Sequence, residues 1–572
     1  MDFERSSVDG VPVFWTEAGE EMLAGLTFRI GRADESLARG GVTHMIEHLA
    51  LYPVGVEAAK HYNGQVDAVT TMFLRRGTAE EIAEFFRAVC ANLRELPAER
   101  LEREKQVLRT EAGGRRPAIT DLLFTERYGA DTYGLPSYPE YGLSAVQAAD
   151  LKAWSGRYFT RGNAALWVAG GKPPSGLALD LPDGDAMPAP QPAGQPPPTP
   201  AYANAPAQGV AWSAVVGRSP AAQTYAAILD RRLRQELRHE QALAYSPSVA
   251  YAVRDQQVAH VLAVVDGLPD VHSLLVSAFI REIERLGEKD VSEDELRSAI
   301  DSLLPNADTS RGAIRWVTSA ARNSIMGRPV RSVAAWTEDL ATMSVAQVRE
   351  VGREALASSV FVLPQRSMPH RAFTWLSGCS DTAVAGRRIR SADSPLDPAR
   401  LVVGADGVSL VRGQAITTVR AAECAALLRW PDGARQFIGR DGATVRVEPT
   451  LWRLKNQAGR LDGLVPSDRQ VTMPHRDKAT VPRPWASRRT RAAGWLLMDP
   501  LASVITGVTP VLAVLIVLAT VAPLNGTITA ALLVFGLILG VAVARFARAR
   551  LLTRAAQQNS RRYSASPRPG GG

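Results

Sequence analysis

Apolar positions recur along the chain at spacings that separate strands from helices. Residues 11–15 (Val-Pro-Val-Phe-Trp) and 22–30 are short apolar runs, the signature of strands. Residues 40–50 then place Met45, Ile46 and Leu49 on one stripe of a helix. A strand is expected over 68–74. A helix follows from Thr78 to Leu93, with Thr78 and Glu81 as a capping box and Ile82, Phe85, Phe86, Val89 and Leu93 as its apolar face. Residues 99–111 read as a charged helix, and 163–170 as a closing strand. After a Pro-rich stretch over 171–200 the order resumes: a strand at 209–216, a helix at 221–239, and strands at 248–252 and 259–265. Helices are expected over 270–286, 292–303 and 311–325.

The remaining third has a different texture. Between 366 and 475 short apolar runs alternate with Asp-Gly pairs at 406, 432, 441 and 462, which predicts a small β-rich accessory domain. A basic connector spans 476–500. Residues 501–522 and 527–544 are uncharged and mostly apolar, and a two-helix transmembrane hairpin over 501–545 is the expectation. Arg488, Arg489 and Arg491 precede it, and Arg545, Arg548, Arg550 and Arg554 follow. Basic residues on both flanks predict a multi-pass protein of the cell membrane, with the lipid bilayer as a partner and both termini and the folded domains cytoplasmic. Residues 546–572 read as a basic disordered tail.

Composition changes this picture little. The 572 residues are 46% hydrophobic and 22% charged, which suits folded domains. Three distant cysteines, Cys90, Cys379 and Cys424, offer no disulfide framework and fit a reducing compartment. The N-terminus lacks the basic-then-apolar order of a secretory signal. The net charge of +8 is concentrated around the apolar tail, and no zinc-finger spacing or basic-aromatic sheet pattern supports a nucleic-acid partner.

The chemistry is in the helix at 40–50. His44-Met45-Ile46-Glu47-His48 is H-x-x-E-H, and residues four apart on a helix share a face. His44 and His48 can direct their imidazoles at one metal ion, with Glu47 beside a water on it. A catalytic zinc takes three protein ligands and keeps one position open. Glu104 and Glu111, seven apart on the charged helix, lie on one face, and either could supply the missing ligand.

These motifs resemble the insulinase and pitrilysin family of inverted-motif zinc metallopeptidases, which includes the mitochondrial processing peptidases. The resemblance implies an α+β fold with two related peptidase-like domains, here 1–170 and 201–365. It implies that Zn²⁺ is held by His44, His48 and Glu111, with Glu104 supporting from behind and Glu47 as general base. A family strand led by asparagine is matched by Asn63, Thr71 and Phe73 as substrate-edge residues. Gly64 and Val66, however, replace the family's alanine and threonine, which bears on specificity more than on metal ligation. Arg238 and Tyr245, seven apart, match a family pair that holds substrate opposite the zinc, a tyrosine hydroxyl being suited to an oxyanion. Because the family's chamber has four such domains and this chain supplies two, a homodimer, or a heterodimer with a related subunit, is expected. The function implied is a zinc-dependent endopeptidase acting on peptides or unstructured protein segments at the cytoplasmic face of a membrane. The rival reading is a noncatalytic scaffold or peptide-binding subunit of the same fold.

Overall fold

The computed structural model describes the chain except residues 1, 20, 53–60, 116–117, 289–290, 305–309, 370–372, 453, 455–457, 499, 522–525 and 565–572. Its contacts define two units, one built on Met1–Ser377 and one on Gly378–Ile438 and Ala443–Gly571.

The first unit contains two six-stranded sheets. The first sheet uses β1 (Glu4–Val8), β2 (Val11–Thr16), β3 (Leu23–Phe28), β4 (Tyr62–Val66), β5 (Thr71–Arg76) and β6 (Ala164–Ala169) in the order β1-β2-β6-β3-β5-β4. The second uses β7 (Ala201–Ala205), β8 (Gly209–Gly217), β9 (Ser248–Val253), β10 (Val258–Asp266), β11 (Val360–Pro364) and β12 (Thr374–Trp375) in the order β12-β7-β11-β8-β10-β9. The two correspond place by place. β2 runs parallel to β6 as β7 does to β11, and β3 lies antiparallel to β6 and β5 as β8 does to β11 and β10. The outermost strands alone differ: β1 is antiparallel to β2, whereas β12 is parallel to β7. A duplicated α+β domain is thus visible in the topology although the two halves share little sequence.

Helices α1 (Val42–Ala50), α2 (Ala79–Arg94), α3 (Leu101–Gly114), α4 (Ile119–Tyr128) and α5 (Ala148–Tyr158) belong to the first half of this unit. Helices α6 (Pro220–Leu233), α7 (His272–Glu288), α8 (Glu293–Leu303), α9 (Ser310–Ile325), α10 (Val333–Ala341) and α11 (Val345–Ala357) belong to the second. Most cover their own sheet: Met45, Ile46 and Leu49 of α1 join Ile82, Phe86 and Val89 of α2 in the first core. The segment 171–200 forms no helix or strand, yet Leu179 and Leu181 are buried in that same core. Two helices are exchanged. Ala313, Val317, Ala320 and Ala321 of α9 pack on Phe14, Ala165 and Trp167 of the first sheet. Conversely, Leu123 of α4 packs on Ala211, Val360 and Val362 of the second. Arg127 of α4 is buried and donates to Ser213 Oγ at 2.8 Å, to the Ser213 carbonyl at 2.6 Å and to the Ser358 carbonyl at 2.7 Å.

The second unit is β-rich at its centre. β13 (Gly386–Arg390), β14 (Arg400–Gly404), β15 (Gly407–Arg412) and β16 (Ala415–Arg420) form one four-stranded sheet. β17 (Cys424–Arg429), β18 (Arg435–Gly439), β19 (Thr444–Val447) and β20 (Gln470–Thr472) form another, with the short helix α12 (Ala458–Asp462) before β20. Leu401, Val403, Val408, Leu427, Phe437 and Val445 are their common core. The C-terminal helices are α13 (Arg488–Met498), α14 (Pro500–Val521) and α15 (Gly526–Ser564).

This tail corrects the sequence reading. Among the described residues no helix is long and apolar enough to cross a membrane. The transmembrane hairpin over 501–545, the multi-pass cell-membrane placement and the lipid bilayer as partner therefore fall away. Ser503, Thr506, Gly507, Thr509 and Pro510 interrupt the apolar run of α14. α15 passes from its apolar segment directly into Arg545–Arg554 and continues for 39 residues in all. Residues 546–564, expected to be disordered, are helical because Ala, Leu, Arg and Gln dominate them, all good helix formers. The connecting residues 522–525 and the end of the tail, 565–572, lie outside the described residues.

Candidate metal centre

The site is built on α1. Its apolar side, Val42, Met45, Ile46 and Leu49, is buried, which fixes the helix and leaves His44, Glu47 and His48 on the opposite side. The helix starts from Gly41, held at φ 97° in the left-handed region that glycine enters without strain. A side chain there would also collide, since a Cβ would lie 2.7 Å from Leu143 and 2.8 Å from Glu140. Gly41 offers no capping side chain, and the buried carboxylate of Glu35 takes that role. It accepts from the backbone N–H of Gly41 at 2.9 Å and of Thr43 at 2.8 Å. Burial pushes the Glu35 carboxyl up to about 7, against the opposing pull of these two donors and of Arg32.

The two imidazole rings stand nearly perpendicular, at 80°, with centroids 5.0 Å apart. His44, Glu47 and His48 bring ligand atoms within 4.8 Å of one another, a cluster that could hold a metal ion. Glu47 Oε2 is 3.9 Å from His44 Nε2 and 3.8 Å from His48 Nε2. Glu111, from α3, approaches from the other side: its Oε2 is 3.9 Å from His44 Nε2 and 3.7 Å from His48 Nε2. Donors about 2.1 Å from a tetrahedral zinc are about 3.4 Å from each other. The separations of Glu111 from the two histidines need to close by only a few tenths of an ångström. The donor set of two imidazoles and a carboxylate fits zinc.

Both rings have their Nδ1 atoms turned outward to carboxylates, which leaves Nε2 for the metal. Glu104 of α3 faces His48 Nδ1 at 3.4 Å and is itself held by Arg100 at 3.1 Å. Glu140, in the loop after the short helical turn Thr132–Ser137, places both carboxylate oxygens 3.1 Å from His44 Nδ1. Burial of His44 disfavours its charged form, but the hydrogen bond and charge of Glu140, with Glu47 and Glu111, outweigh this and raise its pKa. Burial, partly offset by the two histidines, raises that of Glu47.

A cavity of about 370 Å³ opens beside the cluster, lined by Glu47, His48, Tyr52, Asn63, Gly64 and Glu104 among others. β4, the edge strand of the first sheet, forms one of its walls. Asn63 faces the cavity. Thr71 and Phe73 do not: Thr71 is buried and donates to the Ile30 carbonyl at 2.8 Å, and Phe73 packs between Phe28 and Phe159 in the core. Gly64 bears on Glu47 itself, because a Cβ there would lie 1.6 Å from Glu47 Oε1. The glycine-for-alanine departure therefore touches the metal-binding cluster as well as the strand edge. Arg238 and Tyr245 are brought to each other, the guanidinium lying 5.6 Å from the ring centroid with Tyr245 78% exposed. They stand at the end of α6, on the π-helical turn Arg234–Glu240 and just beyond it, and among the described residues no hydrogen bond or ion pair joins them to His44, His48 or Glu111.

Glu35 and Glu140 were not singled out by motif spacing. For Glu140 the available signal is an acid inside an otherwise aromatic and apolar stretch, Tyr133 to Leu143.

No family model matches the chain, and no curated protein does. Solved structures do match its fold. A protease from Helicobacter pylori is similar with a TM-score of 0.53 at 15% identity, over 63% of this chain and 99% of that one. A peptidase M16 inactive domain from Pseudomonas fluorescens is similar with a TM-score of 0.52 at 16% identity, over 64% and 99%. The periplasmic protease PqqL from Escherichia coli is similar with a TM-score of 0.51 at 12% identity, over 76% and 55%. The chain shares the fold of these peptidase structures, and at these identities the likeness shows the fold alone.

Proposed function

We propose that this protein is a zinc-dependent endopeptidase acting on peptides or unstructured protein segments. The observation that carries the reading is the convergence of two imidazoles and two carboxylates, each carboxylate within 3.9 Å of both Nε2 atoms, at a cavity beside an edge strand. His44, His48 and Glu111 are the metal ligands in this reading, Glu111 completing the set from a second helix. Zinc supplies Lewis acidity toward a peptide carbonyl at such a site. Glu47, on the same helix as both histidines and with a raised proton affinity, takes the proton of the attacking water and returns it to the leaving amine. Among the described residues β4 is at the edge of its sheet, and this edge offers main-chain groups to an extended substrate, with Asn63 beside them. Arg238 and Tyr245 hold the substrate, Tyr245 by its exposed hydroxyl.

Cleavage of an unstructured peptide should be blocked by a chelator and restored by Zn²⁺. Glu47→Gln should lose at least about a hundredfold in kcat, the usual scale of general-base catalysis, with bound zinc unchanged. Full activity in that variant would refute the assignment. Zinc binding without cleavage of any peptide would favour the noncatalytic scaffold, a state for which the inactive domain from Pseudomonas fluorescens provides a structural parallel.

A further inference from the structure

We propose that Glu140 is a positioning residue for His44, so that each zinc-binding histidine has its own carboxylate behind it. This rests on the zinc reading above. The geometry at His44 is closer than at His48. Both Glu140 oxygens lie 3.1 Å from His44 Nδ1, whereas Glu104 approaches His48 Nδ1 at 3.4 Å. Only 12% of the Glu140 side chain is exposed, and Arg32 Nε stands 3.6 Å from it. Arg32 in turn is fixed by donating to the carbonyls of Pro136 at 3.2 Å and Tyr138 at 2.9 Å, within the stretch that leads to Glu140. Gly41 leaves room for the Glu140 side chain at the start of α1, where any Cβ would collide with it.

The consequence is a choice of tautomer. A neutral imidazole carries one proton, and the acceptor at Nδ1 decides where it sits. Glu140 accepts Nδ1–H and leaves the Nε2 lone pair pointing at the metal position. Without Glu140, His44 is free to protonate Nε2, and the ligand must change tautomer and orientation before it can bind. Glu140 thereby ties the 132–140 stretch to the metal, although it lies 96 residues from its histidine.

The test uses the full chain stripped of metal. Zinc affinity is measured by competition with a chromogenic chelator, and the His44 tautomer by long-range nitrogen–proton NMR of histidine-labelled protein at pH 9. The His44 signals are identified with His44→Gln. Glu140→Ala should weaken zinc about 10- to 100-fold, the range found when such partners are removed, and should move His44 toward the Nε2–H form. Glu140→Gln retains an acceptor oxygen and should keep the Nδ1–H form while still losing about tenfold in zinc affinity through the lost charge. Circular dichroism confirms that both variants are folded, and the isosteric glutamine variant covers the case in which the alanine variant is not. Zinc affinities within twofold of the unaltered chain, with an unchanged tautomer in Glu140→Ala, would overturn the proposal. If the unaltered chain itself takes up no zinc, the functional reading fails instead, and the two failures are separate.

Discussion

Glu35 makes the start of α1, the helix that carries His44 and His48, sensitive to pH, and the effect can be sized. Its carboxyl is fully buried, accepts from two backbone N–H groups of α1 and is raised from 4.5 to about 7. Each tenfold change in proton affinity corresponds to about 1.4 kcal/mol, so this displacement is worth roughly 3 kcal/mol. The folded form binds the proton more tightly than the unfolded one. The associated stability is therefore fully present below pH 4.5 and is lost as the pH rises through 7. Glu35→Gln cannot ionise, but its amide can accept from only one of the two N–H groups. It should begin about 1–3 kcal/mol less stable and then stay flat. Hydrogen exchange of the peptide spanning 37–50, corrected for the intrinsic rate, reads the local opening of α1 in metal-free protein. Between pH 5 and 8 the unaltered chain should lose up to about 100-fold in protection relative to Glu35→Gln. His44 also has a raised pKa and destabilises in the same direction, but it is present in both proteins and cancels in the comparison. Parallel curves for the two proteins would show that Glu35 is ionised throughout and would refute the reasoning.

Two further outcomes test other parts of the site and fold. Gly64→Ala forces Glu47 away from β4, because ordinary contact requires about 3.4 Å where 1.6 Å is available; displacement of a reacting group by 1 Å costs on the order of 100-fold, so kcat should fall tenfold or more at unchanged zinc content, and an unchanged kcat would show that Glu47 works from another position. Arg127→Met preserves volume but leaves the Ser213 and Ser358 acceptors unpaired in a buried site. It should destabilise the first unit by about 3 kcal/mol, less than three charge-assisted bonds suggest because burial already lowers the arginine pKa to about 10. Melting temperatures within 1 °C, on the order of 0.8 kcal/mol for a unit of this size, would contradict this.

What sequence reasoning could see follows from the range of the interactions. His44, Glu47 and His48 share one helix face, and Glu104 and Glu111 share another, so periodicity alone places each set. Their meeting is tertiary, and a family resemblance was needed to anticipate it. Glu35 and Glu140 reach the site from loops, where no period marks a side chain as pointing inward. The resemblance also placed Thr71 and Phe73 at the substrate edge, whereas alternation along β5 turns both into the core. α9 was expected as a helix and α4 was not, and even a legible apolar face does not record which sheet will cover it. In the tail, the uncharged runs 501–522 and 527–544 suggest a membrane span, because hydropathy summed over a segment gives little weight to the serines, threonines and proline within it.

The exchange of α4 and α9 has a bearing on how the chain is made. On the ribosome, the first sheet is complete once β6 has emerged at Ala169, yet Phe14, Ala165 and Trp167 must wait for residues 313–321 before they are shielded from water. At bacterial or eukaryotic elongation rates of about 5–20 residues per second, that interval lasts on the order of ten seconds. During it the nascent chain presents an aromatic surface to whatever is nearby, which is a standing invitation to a chaperone. The same dependence means that a fragment ending at the Pro-rich stretch would expose that surface permanently, so the two halves should be expressed together.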